Sequence, residues 1–153
     1  MLNQESLFPM PQDCNTSDDY WTPKFLFDAL GIMFDLDVAC PPSGPPHGTA
    51  KAFYTQETDG LASDWFGNVW MNPPFSKTSP WIHKFMNHRQ GICLVPFSKS
   101  AWANKLWDDA EGALMLPSTL KFDQGPIFMP VMLAAYGDDN VAALRNAGLG
   151  RVR

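Results

Sequence analysis

Residues 68–76 read NVWMNPPFS. Asn68 to Met71 make a short apolar strand, and Asn72-Pro73-Pro74-Phe75 stops it abruptly. Directly after it, Ser79-Pro80 opens a helix through about His88, a cap residue followed by proline in the first turn. Strand, stiff turn, helix is the building unit of an α/β sheet, in which ligands bind beyond the carboxyl ends of strands.

The same alternation continues on both sides. Toward the C-terminus, Gly91 to Pro96 (GICLVP) is a buried strand and Lys99 to Ala110 a helix. Ala113 to Leu116 and Ile127 to Tyr136 are two more strands, and a last helix capped by Asp138 or Asp139 runs through Asn146 to a stop at Gly148. Toward the N-terminus, Thr22 is the expected N-cap of a helix with Pro23 in its first turn, Phe25, Leu26 and Leu30 on one face and Gly31 as its stop. Met33 to Ala39 (MFDLDVA) alternates apolar and acidic residues as a strand does. CPPSGPPHGTA, with four prolines, is a loop, and Ala52 to Thr55 is a short strand. The expected fold is therefore α/β, with a mostly parallel sheet and helices on its faces. Residues 1–17 are polar and aperiodic and are expected to form a flexible arm, with 18–153 a single domain.

Composition narrows the function. With 153 residues and 45% apolar content the chain can bury a real core, and 13% aromatic residues exclude a low-complexity disordered chain. The net charge of -5 alone argues against a uniformly basic nucleic-acid binder, but it averages two unlike halves. Residues 1–64 hold ten acids and two bases; residues 65–153 hold six acids and nine bases. Lys77, Lys84, Arg89, Lys99 and Lys105 fall in 65–107, where there is no acid. Three cysteines without CxxC spacing speak against a disulfide scaffold or a structural zinc site. No signal peptide or membrane-length apolar run is visible, so a cytoplasmic location is expected.

The NPPF turn suits a planar amine. The carbonyl oxygen of Asn72 can accept from an exocyclic NH2. Pro73 and Pro74 fix φ and lack N–H groups, which stiffens the turn and offers the Pro73 carbonyl as a second acceptor. Phe75 supplies a face on which a base can stack. Two acceptors on one NH2 pull its nitrogen out of conjugation and aim the lone pair at an electrophile, so positioning rather than a strong base supplies the rate.

DDYWTPKFLFDAL, FDLDVAC, AFYTQETDGLASDW, VWMNPPFSKTSPWIHKF and ICLVPFSKSAWANKLW, in this order over about residues 18–136, resemble the phage-type DNA N-6-adenine methyltransferase (Dam) family. The resemblance implies a reduced doubly wound fold of the S-adenosylmethionine-dependent methyltransferase type, without a separate target-recognition domain. It further implies S-adenosyl-L-methionine as cofactor, DNA as partner, and transfer of a methyl group to the N6 amine of a flipped adenine with short or relaxed sequence specificity. If the chain is phage-encoded, the compartment is the host cytoplasm. By the resemblance Asn72, Pro73, Pro74 and Phe75 form the catalytic motif. Trp21, Thr22 and Pro23 match the cofactor-binding Thr-Pro element, Asp37 the cofactor's methionine end or ribose, and Asp59 the acid on its adenine amine, with Ala39, in the altered glycine loop, a further cofactor-binding position. Ser76, Lys77, Lys84 and Lys99 are the expected DNA contacts. The usual glycine loop reads here DVACPPSG, whose prolines leave no room for the helix that normally follows.

Other readings compete. NPP(Y/F) turns also resemble those of enzymes that methylate cytosine N4, an RNA base or a protein glutamine, and a catalytically inactive DNA- or protein-binding relative would keep the turn without the chemistry. Asp35 and Asp37 project to one side of a strand, a geometry open to a hard cation, but solvated or cofactor-facing roles are expected and no metal is. His83 and His88, five apart on a helix, do not face each other.

Overall fold

The computed structural model describes residues 22–98, 100–117, 121–122, 125–126 and 130–153. The expected arm at 1–17 lies outside the described residues.

Six strands form one sheet. They are β1 (Phe34–Asp37), β2 (Ala50–Phe53), β3 (Val69–Met71), β4 (Gly91–Pro96), β5 (Gly112–Met115) and β8 (Val131–Tyr136), in spatial order β2-β1-β3-β4-β8-β5. The pairs β1·β2, β1·β3 and β3·β4 are parallel, and β8 runs antiparallel to both β4 and β5. The short strands β6 (Lys121–Phe122) and β7 (Gly125–Pro126) pair with each other.

The continuous apolar runs GICLVP and VMLAAY are buried along their whole length, as strands covered on both faces must be. Successive residues alternate between two cores. Ile92, Leu94, Leu133 and Ala135 join Leu26, Phe27 and Leu30 of α1 (Lys24–Leu30) and Val141 and Leu144 of α4 (Asp138–Asn146). Cys93, Val95, Met132 and Ala134 join Trp81, Ile82 and Phe85 of α2 (Thr78–His88) and Leu106 of α3 (Ala101–Asp109) on the other side. Helices thus cover both faces of a mostly parallel sheet. Among the described residues no helix is long and apolar enough to cross a membrane.

Several boundaries differ from expectation for identifiable reasons. The first helix starts at Lys24, one position later than a Thr22 cap would have it: Pro23, whose ring carries no acceptor, is in the cap position, and the Thr22 hydroxyl accepts from Asn72 instead. Gly31 ends it as expected, in the left-handed conformation (φ 66°) that glycine adopts without strain. The first strand is trimmed at Asp37, where the carboxylate accepts the Ala39 N–H and turns the chain. The second strand lies two residues earlier than expected, since pairing with β1 recruits Ala50 and the Thr58 hydroxyl takes the Thr55 N–H at 2.7 Å. The β1–β2 connection holds a 3-10 turn, Pro46–Gly48, and no α-helix, as its prolines require. The last helix is preceded by Gly137, and both candidate caps, Asp138 and Asp139, lie in its first turn, where negative charge faces the positive end of the helix dipole.

Candidate functional site

From β1 the chain passes to β2 on one side and then to β3 on the other. The strand order therefore reverses between β1 and β3, and in open α/β sheets this is the point where a crevice opens at the carboxyl ends. Here the two strands end on Asp37 and on Met71-Asn72, held in register by Asp37 opposite Trp70. A cleft of about 490 Å³ lies there, within the range of small-molecule and cofactor sites.

One wall comes from β1 and the loop after it. Asp37 is only 2% exposed, yet it lines the cleft. Burial lifts its carboxyl from 3.8 to about 7, and the Ala39 amide, donating to Oδ1 at 3.2 Å, offsets this only in part. Ala39 lines the same wall, followed by Cys40, Pro41, Pro42 and Pro46. Burial, with the nearby Asp37 charge adding to it, pushes the Cys40 thiol up to about 12, so it is no nucleophile. The prolines give a rigid wall poor in N–H donors where a glycine loop would have offered several.

A second wall is the 55–60 turn. Thr55, Gln56, Asp59 and Gly60 line the cleft. Asp59 is exposed, adopts a left-handed φ of 57°, and its Oδ1 accepts the Ala62 N–H at 3.3 Å. Gly60 packs so closely on the Val38 carbonyl that a Cβ would collide with it, and this contact seats the turn on the end of β1. The loop beyond is clamped from α2. Lys84 Nζ donates to the carbonyls of Leu61 and Ser63, at 2.8 and 2.5 Å, and lies 5.3 Å from the centre of the Trp65 ring. Trp65 Nε1 donates to the Gly60 carbonyl at 2.8 Å, and its ring stacks on Trp81, a further cleft residue.

The third wall is the turn after β3. Asn72, Pro74, Ser76 and Lys77 line the cleft, with Pro73 buried between them. A 3-10 turn, Phe75–Lys77, leads straight into α2. Thr22 is 1% exposed, and its Oγ1 accepts from Asn72 Nδ2 at 3.0 Å and so ties the start of α1 to this turn.

The structure thus brings together Thr22, Asp37, Ala39, Asp59, Asn72, Pro74, Ser76 and Lys77 around one cleft. Pro23 is buried at the head of α1, outside the lining. Phe75, expected as an open stacking face, is partly buried against the core that contains Phe27 and Trp70 and is not a lining residue. Lys84, expected on DNA phosphate, is committed to loop carbonyls. Asp35, weighed as a metal ligand, accepts the Asn68 N–H at 2.8 Å and faces Lys51 at 3.7 Å. Trp21 and Lys99 lie outside the described residues. Sequence reading missed Thr55, Gln56, Trp70 and Trp81. The first two stand just before Asp59 and could have been included with it, whereas nothing local marks the tryptophans.

A carboxylate this buried, with the Ala39 amide donating to it, favours a ligand bearing positive charge, and Asn72 and Pro74 line the same cleft. No curated protein and no solved structure matches the chain. The family model described as DNA N-6-adenine-methyltransferase (Dam) matches residues 12–116, which include all three walls of the cleft. With that match spanning more than half its length, the chain belongs to the DNA N-6-adenine-methyltransferase (Dam) family.

Proposed function

We propose that the chain transfers a methyl group from S-adenosyl-L-methionine to the N6 amine of adenine in DNA, on a doubly wound methyltransferase fold. The observation that carries this reading is the meeting of the buried Asp37 carboxylate with Asn72 and Pro74 around one cleft at the sheet's reversal point. The donor set fits the cofactor. Asp37 would hold its cationic amino-acid end, and Asp59, in the 55–60 wall, its adenine amine. Bound there, the cofactor would supply an electrophilic methyl carbon with its sulfur as the leaving group.

The remaining work falls to the chain. Asn72 Oδ1 and the Pro73 carbonyl accept the two amine hydrogens and orient the nitrogen lone pair. Phe75 braces the turn against the core that α1 joins. Ser76 and Lys77, exposed at the rim, meet the DNA backbone beside an adenine extruded from the duplex. Selection by these few contacts makes the target motif short.

Nucleoside mass spectrometry of host and plasmid DNA after expression tests the proposal. N6-methyladenine is expected with wild type and none with Asn72→Ala or Pro73→Ala, whose calorimetric affinity for the cofactor stays close to wild type. N4-methylcytosine would move the acceptor to cytosine, and unmodified DNA together with absent cofactor binding would leave a binding module in place of an enzyme.

A further inference from the structure

Two tryptophans line the cleft, and they belong to different ends of it. Trp70, 1% exposed, stands opposite Asp37 in the β1–β3 pairing and is met edge-on by Phe27 at 4.9 Å, in the core that α1 joins. Trp81, 8% exposed, comes from the first turn of α2 and reaches the other wall. Its Cη2 lies 3.1 Å from where a Cβ on Gly60 would stand, next to Asp59. Phe75, the aromatic ring that the sequence offered for a base, is packed against the α1-side core and does not line the cleft.

The ring of Trp81 is held in place by a second one. Trp65 lies nearly parallel to it, with centroids 6.4 Å apart and planes at 27°. Trp65 is locked in turn: its Nε1 donates to the Gly60 carbonyl at 2.8 Å, Lys84 Nζ lies 5.3 Å from its centre, and His88 meets it edge-on at 5.9 Å. Trp81, Lys84 and His88 are spaced i, i+3, i+7, so one stripe of α2 carries the assembly. The result is a pre-oriented aromatic surface beside an exposed carboxylate. An aminopurine asks for that pair, an acceptor for its exocyclic amine and an aromatic surface for its ring.

We infer that Trp81 is a specificity-determining residue of the cleft, taking the adenine ring of the cofactor while Asp59 takes its amine, an assignment that rests on the cofactor given under Proposed function. The ligand is thereby divided between two walls, with its cationic amino-acid end at Asp37 and its base at Asp59 and Trp81.

The test uses two ligands: S-adenosyl-L-methionine, and 5′-methylthioadenosine, which keeps the adenine and ribose and lacks the amino-acid end. By calorimetry, Trp81→Leu is expected to weaken both by the same factor, on the order of 10- to 100-fold, while Trp81→Phe, which keeps a flat ring, stays within about 5-fold of wild type. Asp37→Asn weakens S-adenosyl-L-methionine by about 10-fold or more and leaves methylthioadenosine within about 3-fold. Fluorine spectra of 5-fluorotryptophan-labelled wild-type protein give a readout that a merely structural role would not move. On addition of methylthioadenosine the resonance of Trp81, assigned by its loss in Trp81→Phe, is expected to shift more than that of Trp70, assigned by its loss in Trp70→Phe. Wild-type affinity for both ligands in Trp81→Leu, a loss confined to S-adenosyl-L-methionine, or a larger shift at Trp70 would each overturn the inference. So would a raised KM for DNA in Trp81→Leu at unchanged affinity for both ligands, which would give the ring to the extruded base. A chain that binds methylthioadenosine with the Trp81 shift but methylates no amine would refute the function alone. If Trp81→Leu does not fold, the labelled wild-type protein carries the test, and an unmoved Trp81 resonance at saturating methylthioadenosine is the overturning result.

Discussion

The carboxylate of Asp37 accepts the backbone N–H of Ala39 at 3.2 Å, from a position 2% exposed to solvent. That single bond does not offset the burial, which is why the group's pKa stands near 7.

A stability prediction follows. An acid whose folded pKa is raised binds its proton more tightly in the native state, so its contribution is intact below about pH 4 and is lost as pH climbs toward 7. The shift from 3.8 to about 7 corresponds to about 4 kcal/mol. Asp37→Asn is therefore expected to raise the Tm of the free protein at pH 8 while leaving it near wild type at pH 4, and to weaken cofactor binding at least 10-fold. Thermal unfolding across this range, with calorimetry at pH 8, measures both. Parallel Tm profiles for the two proteins would contradict the assignment.

The two lysines flanking the start and middle of α2 should separate cleanly. Lys77 is exposed on the cleft rim, so Lys77→Ala is expected to lower the slope of log affinity for DNA against log salt by about 1. Lys84→Ala should leave that slope alone and instead loosen the 61–65 loop, weakening cofactor binding through the Asp59-Gly60 wall. Salt titrations of DNA binding beside cofactor calorimetry distinguish them. A reduced salt slope in Lys84→Ala would return that residue to the DNA.

Gly60→Ala places a Cβ against the Val38 carbonyl and 3.1 Å from the Trp81 ring. A stability loss of about 1–3 kcal/mol is expected, as for other overpacked sites. Because the strain falls on the wall that carries Asp59, cofactor affinity should drop by more than DNA affinity. Chemical denaturation and the two binding measurements check this, and wild-type stability would show that the turn can shift at little cost.

How much of this was legible in the sequence depends on whether the deciding contact is local. GICLVP coincides with β4, residue for residue, because a strand covered on both faces must be apolar throughout. Gly31 and the NPPF stop were readable because φ and a missing N–H are properties of the residue itself. Thr22 was misread as a cap, since a threonine before Pro-Lys is locally indistinguishable from one and its partner lies at Asn72. Lys84 sits in a basic stretch that suggests phosphate, and its carbonyl partners at Leu61 and Ser63, on the opposite wall, were likewise out of local view. Phe75 was expected to face a base, and its packing on the α1 side could be known only once α1 was placed on the sheet. The antiparallel insertion of β8 between β4 and β5 is likewise a matter of register, which apolar composition leaves open.

That reversed strand has an evolutionary consequence. The chain leaves the sheet after Met115 and re-enters at Val131, on the same rim where β1, β3 and β4 end, with the β6–β7 pair inside the excursion. Chain added or exchanged between these two anchor points leaves every pairing of the six-stranded sheet in place. Relatives can thus diverge in this one segment without disturbing the sheet, and a designer wishing to graft a new loop onto the scaffold has a place to cut.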